Sequence, residues 1–213
     1  MDILEEIRMG IIETMPAQAK SATEKALSMG YEAKQILNDA LIPAMDVVGK
    51  LFKEGEYFVP EVLVAAKAMQ ACMDLIEPLL IGSGVEKLGK AVTGTIEGDL
   101  HDIGKNLVGM MLKGAGFDVI DLGVDVTAER FVEAVKREKP NFVMISALLT
   151  STMINMPKVI KALEKEGLRN KVKVLVGGAP VSQSYADEIG ADGYAEDSSS
   201  AVELVRKFIE EGV

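Results

Sequence analysis

Tryptophan is absent from this chain, and cysteine and histidine occur once each in 213 residues. The single Cys72 has no partner for an intramolecular disulfide, which fits a reducing cytoplasm. No apolar run is long enough to span a bilayer. The opening MDILEEIRMG is acidic and lacks the basic-then-apolar layout of a secretory signal. Basic charge is scarce too: 23 Lys and Arg stand against 33 Asp and Glu, a net charge of −10. Such a field repels nucleic-acid phosphates and anionic lipid, so neither nucleic acid nor membrane is an expected partner.

Apolar residues make up 48% of the chain and charged residues 26%, enough to bury a core. The length allows one large or two small domains. Twelve methionines are expected mainly as fillers of irregular core gaps.

Two periodicities divide the sequence. Residues 2–80 read as helices: 2–14, 16–29, 31–53 and 59–80, with Gly30 and Gly55 as stops and Pro16 and Pro60 near starts. Pro43 falls inside the third and predicts a bend or a local break. Short connections between four helices suggest an antiparallel bundle. From Lys90 onward, apolar runs (91–96, 117–122, 142–146, 172–176, 193–195) alternate with amphipathic stretches (104–115, 127–138, 153–166, 182–189, 198–211). That alternation predicts a parallel five-stranded sheet with helices on both faces. The expected division is a helical domain at 1–81, a linker at 82–89 opening with Gly82-Ser83-Gly84, and a Rossmann-like α/β domain at 90–213.

Ligands of such sheets bind beyond the carboxyl ends of the strands, where strand order reverses. Three short motifs sit at strand ends: Glu97-Gly98-Asp99-Leu100-His101-Asp102-Ile103-Gly104, then Ser146-Ala147-Leu148, then Gly177-Gly178. His101 could be an ordinary surface histidine. In this loop, though, Asp99 stands two residues away, able to accept the Nδ1 proton and aim Nε2 at a metal. Gly104 reads as a turn residue, Ser146, Thr150 and Thr152 as strand-end hydroxyls, and Asp102 as a helix N-terminal carboxylate. Gly98, Gly104, Lys105 and Asn106 do not form a phosphate loop. The spacing is one residue too long, and Asn106 replaces the hydroxyl that would hold magnesium.

These motifs, in this order and spacing, resemble the D-x-H-x-x-G … S-x-L … G-G pattern of cobalamin-binding proteins. The resemblance covers nearly the whole chain and is closest to the small corrinoid proteins of methylotrophic methyltransferase systems. It implies a flavodoxin-like sheet domain behind a four-helix-bundle cap, with cobalamin or a related corrinoid as cofactor. His101 would then be the lower axial cobalt ligand, linked through Asp99 to the Thr152 hydroxyl, where relatives carry serine. Gly98, Asp102, Ile103 and Gly104 would line the cofactor beside His101. Ser146, Leu148 and Thr150 would contact its nucleotide tail. Gly177 and Gly178 would leave room for the displaced base, and Tyr194 would line the same slot. In the segment from Val48 to Pro60, Phe52 and Val59 would cover the upper, methyl-bearing face.

The activity implied is methyl carriage. A substrate-specific methyltransferase loads the cobalt, methylamines or quaternary amines being the favoured donors and methanol or methoxy-aromatics the alternatives. A second methyltransferase passes the methyl to coenzyme M or tetrahydrofolate, and a reductive activation protein is a further partner. One rival reading is a cobalamin-sensing regulator, which normally adds a basic DNA-binding segment. Another is a phosphorylated receiver domain, but Ser146 stands where its aspartate would be.

Overall fold

Apolar residues at helical spacing build the first part of the chain, and continuous apolar runs build the second. The computed structural model describes residues 2–80 and 87–212. They pack as two units: Met1–Lys87 with Gly114–Gly116, and Leu88–Lys113 with Phe117–Val213. Of the expected linker, residues 82–86, including Gly82-Ser83-Gly84, lie outside the described residues. Lys87, Leu88 and Gly89 belong to no helix or strand.

The first unit is helical: α1 (Ile3–Ile12), α2 (Pro16–Ser28), α3 (Ala33–Ile36), α4 (Ile42–Lys53) and α5 (Val59–Leu80). Helix α1 packs on α2 and α4, and both of those pack on α5. Gly10 permits the α1–α2 approach, since a Cβ there would stand 2.8 Å from the Ala19 backbone nitrogen. The expected third helix is two helices joined by a π-helical turn, Leu37–Leu41. Pro43 explains it: its ring crowds the carbonyl one turn earlier and it donates no N–H, so a wider turn precedes it. Methionine use is mixed. Met45, Met69, Met111, Met144 and Met156 are buried, whereas Met15, Met29 and Met110 are exposed.

The second unit alternates β1 (Lys90–Thr95), α6 (Ile103–Gly114), β2 (Asp118–Asp121), α7 (Ala128–Glu138), β3 (Phe142–Ser146), α8 (Thr150–Met153), α9 (Met156–Lys165), β4 (Lys173–Gly177), α10 (Gln183–Ile189), β5 (Gly193–Ala195) and α11 (Ser198–Glu210). The stretch expected as one helix at 153–166 is split. A short α8 starts three residues early, and Pro157 sits in the first turn of the separate α9. All strand pairs are parallel, in the order β2-β1-β3-β4-β5. Order therefore reverses between β1 and β3. Register aligns their ends: Thr95 pairs Ser146, Ser146 pairs Gly177, and Gly177 pairs Ala195. One row across the sheet edge thus carries the residues from which the three motif loops depart.

Candidate functional site

The loop between β1 and α6 is shaped by Gly98, whose φ of +85° suits glycine. Asp99 follows and points inward, fully buried. Its Oδ1 accepts the His101 backbone N–H at 3.1 Å and lies 2.7 Å from His101 Nδ1. Its Oδ2 accepts from the backbone N–H groups of Leu148 at 2.8 Å and Leu149 at 3.3 Å, and from Thr152 Oγ1 at 2.7 Å. One carboxylate thereby ties the loop after β1 to the loop and first turn after β3.

Burial alone would raise the pKa of Asp99. The hydrogen bonds from Thr152, Leu148 and both nitrogens of His101 outweigh it and hold the carboxyl well below the usual carboxylate range. An ionised carboxylate only accepts, so the proton of a neutral imidazole sits on Nδ1 and Nε2 keeps its lone pair. The ring is half-exposed, its side chain 52% accessible. The His101 carbonyl is held from behind by Thr95 Oγ1 at 2.9 Å.

Around the imidazole the surface is apolar where surfaces are usually polar. Leu100, Ile103, Leu148 and Leu149 are all exposed. A Cβ added at Gly104 would meet nothing within 4 Å. Asp102 stands just before α6 and accepts from Asn106 Nδ2 at 3.0 Å, in keeping with a helix N-terminal role. Ser146 ends β3, half-buried, and its carbonyl accepts from Ile96 N at 2.9 Å. Thr150 is exposed at the start of α8.

The glycine pair has a sharper cause than a turn. A Cβ at Gly178, where φ is +121°, would lie 1.8 Å from the Ala147 carbonyl oxygen, and one at Gly177 would lie 2.9 Å from that of Ala195. Tyr194 lies half-buried on β5 opposite Val176. Burial first, then Glu196 and Asp197, raise its pKa. Phe52 and Val59 are half-buried in the helical unit, at the end of α4 and the start of α5.

Sequence reasoning passed over two features. Lys105, dismissed with the failed phosphate loop, is buried, and its Nζ bonds Asp121 at 2.6 and 2.7 Å. The signal was there: Lys105 stands at helical spacing with buried Gly109 and Leu112. The loop after β2 also reaches the site, through Asp125 Oδ1, which accepts from Gly98 N at 2.7 Å.

Fold and site define a class: doubly wound proteins that carry a tautomer-fixed, half-exposed loop histidine at the point where strand order reverses. Two families described as B12 binding domain match the chain, at residues 89–203 and 3–77. A corrinoid protein of Desulfitobacterium hafniense is 42% identical over 212 residues, covering 98% of both chains. Dimethylamine corrinoid protein 1 of Methanosarcina mazei is 44% identical over 209 residues, 98% of this chain and 96% of its own. A chain of the methanol:cobalamin methyltransferase complex of Methanosarcina barkeri superposes with a TM-score of 0.87 at 32% identity, over 99% of this chain and 80% of that one. The chain belongs to the B12-binding family of corrinoid proteins.

The residues fit that group. A half-exposed imidazole with a free Nε2 suits an oxidised cobalt. The exposed leucines and isoleucine beside it suit the rim of a flat macrocycle. Glycines stand where any side chain would collide with backbone at the strand ends.

Proposed function

We propose that this protein is a corrinoid methyl carrier in which His101 Nε2 would hold the cobalt. The observation that carries the assignment is the Asp99 carboxylate, buried and ionised, with Nδ1 of the only histidine 2.7 Å away. A bound corrinoid would supply a cobalt centre able to accept a methyl group and yield it to a nucleophile. Everything else falls to the chain. Asp99 would orient the imidazole through its contact with Nδ1, leaving Nε2 to hold the cobalt. Thr152 donates to the other carboxylate oxygen and so holds Asp99 in the orientation that meets Nδ1.

The ends of β1, β3 and β4 and the segments that follow them would receive the cofactor and its nucleotide tail, through Gly98, Asp102, Ile103, Gly104, Ser146, Leu148, Thr150, Gly177 and Gly178, with Tyr194 of β5 beside them. Residues 1–81 are the helical cap domain, whose Phe52 and Val59 would contact the corrinoid, and residues 90–213 are the cobalamin-binding domain. Partners follow from the role: a methyltransferase that loads the carrier, a second that unloads it to coenzyme M or tetrahydrofolate, and a protein that restores the reduced cobalt. Methylamines are the donors we favour, because relatives across the whole length are named for dimethylamine and trimethylamine. No helix among the described residues is long and apolar enough to cross a membrane. We place the carrier in the cytoplasm.

One histidine makes the test unambiguous. Protein reconstituted with hydroxocobalamin and reduced to the Co(II) state is examined by EPR, with natural and nitrogen-15 histidine. Histidine hyperfine splitting that changes with the label is expected, and its loss in His101→Ala with corrinoid still bound. A cobalt that keeps its own nucleotide base in the wild type refutes the assignment.

A further inference from the structure

The loop that bears His101 is anchored at both ends by the end of β2 and the loop that follows it. Upstream of the histidine, Gly98 N donates to Asp125 Oδ1 at 2.7 Å, and Asp125 N donates to the Asp99 carbonyl at 3.0 Å. Downstream, Lys105 Nζ, buried in the first turn of α6, pairs with Asp121 at 2.6 Å. Asp121 also accepts from Gly123 N at 2.8 Å, which fixes the turn between the two aspartates. Below them the backbone is stitched to β1: Val126 N donates to the Thr95 carbonyl and Thr95 N to that of Gly123.

The conformation of Asp125 is unusual, with φ of +51°. A side chain seldom occupies that left-handed region, and persists there when its surroundings over-determine it. Here the same residue makes a side-chain and a backbone bond to adjacent residues of the histidine loop. Neither Asp121 nor Asp125 makes a side-chain bond to His101; Asp121 ends β2, opposite Thr93, and Asp125 lies in the loop that follows.

We propose that Asp121 and Asp125 act as positioning residues, a clasp that holds Gly98 and Lys105 and so sets where His101 stands beneath the cobalt. This rests on His101 being the axial ligand. A tethered ligand binds a metal well only when its loop is already in place, so loosening either end lowers the fraction of histidine-coordinated cofactor.

Three variants separate the clasp from general loop stability. Asp125→Asn keeps an acceptor and tolerates the backbone conformation. Asp125→Gly keeps the conformation and loses the acceptor. Asp121→Asn weakens the pair with Lys105 but still accepts from Gly123. Two readouts apply: amide hydrogen exchange of residues 98–104 in the cofactor-free protein, and the histidine-on to histidine-off ratio in the Co(II) EPR spectrum. For Asp125→Gly exchange should quicken about tenfold and the ratio fall by a similar factor, the effect of one lost charge-assisted hydrogen bond. Asp125→Asn should stay close to wild type and Asp121→Asn fall between. Unchanged exchange in Asp125→Gly overturns the clasp. Faster exchange with an unchanged ratio overturns its positioning role, leaving a brace for the loop. A wild type without histidine splitting refutes the ligand assignment beneath the proposal, and is told apart because it needs no variant.

Discussion

The helical unit and the sheet unit each bury an acid completely, and they treat it in opposite ways. In the helical unit Cys72 lies in the core, and burial pushes its thiol up to about 11 despite a hydrogen bond with Thr23. In the sheet unit Asp99 is equally buried, yet its hydrogen bonds keep it charged. Among the described residues, the other buried polar side chains divide the same way. Thr23 is in the helical unit; Thr93, Thr95, Lys105, Thr152, Ser198 and Ser199 are in the sheet unit. A buried polar group left unpaired is costly, and Thr95, Asp99, Lys105 and Thr152 each make a side-chain hydrogen bond, although Ser198 Oγ has no partner among the described residues. The helical unit is built to pack; the sheet unit is built to hold one charge and one imidazole.

Glycines give the widest separation between the two. Gly178→Ala should destabilise the protein by more than about 4 kcal/mol, because the new Cβ meets the Ala147 carbonyl and backbone must move. Gly30→Ala, with φ of +89° and nothing within 4 Å, should cost only about 1 kcal/mol of backbone strain. Urea denaturation of the two variants measures the difference. Similar losses would mean that the strand-end loops are free to shift.

Next comes the charge itself. Asp99→Asn retains the shape but turns one acceptor into an NH2 facing donors, a loss of about 3 kcal/mol at pH 7. The folded pKa of Asp99 is depressed, so its contribution is present above the unfolded carboxylate value. It drains away as pH falls through and below that value. Unfolding measured between pH 3 and 7 should therefore show an acid-sensitive limb in the wild type that is shallower in Asp99→Asn. Thr152→Val removes one donor while the backbone N–H groups remain, and about 1.5 kcal/mol is expected. Thr152→Ser should restore most of it; failure to do so would assign the loss to the methyl group's packing.

Why some of this was legible and some not follows from range in sequence. Alternation of apolar runs and amphipathic stretches marked the five strands, and the short motifs marked His101, Ser146 and the glycines because each is a local pattern. Asp99 and His101 are two residues apart, so their contact could be read from the sequence. The Thr152 bond to Asp99 spans 53 positions, and only the resemblance suggested it. Leu148 and Leu149 contribute backbone N–H groups, which no side-chain pattern announces. Asp121 ends β2 and Asp125 stands in the loop after it, and their partners, Lys105 and Gly98, are 16 and 27 positions away. The π-helical turn before Pro43 escaped because a proline in a helical pattern predicts a disturbance without saying which kind.

The smallest effect returns to Cys72. Its pKa rises from 9.0 to about 11 on folding, so the unfolded thiol ionises first. Stability from the neutral thiol is fully present below pH 9 and is lost as pH climbs from there toward 11. At pH 7 the group contributes nothing that depends on pH, and at pH 9 the loss amounts to about 0.4 kcal/mol. Tyr57, Tyr185 and Tyr194 also have raised pKa values, burial foremost among the causes, and blur an absolute measurement. The difference between wild type and Cys72→Ala isolates the thiol: their stability gap, set at pH 7 by a small cavity, should change in favour of the variant as pH passes 9. An unchanging gap up to pH 10 would show that the thiol is no harder to ionise folded than unfolded. The two buried acids would then differ only in their hydrogen bonds, and the contrast between a core that excludes charge and a site that keeps it would fail on the helical side.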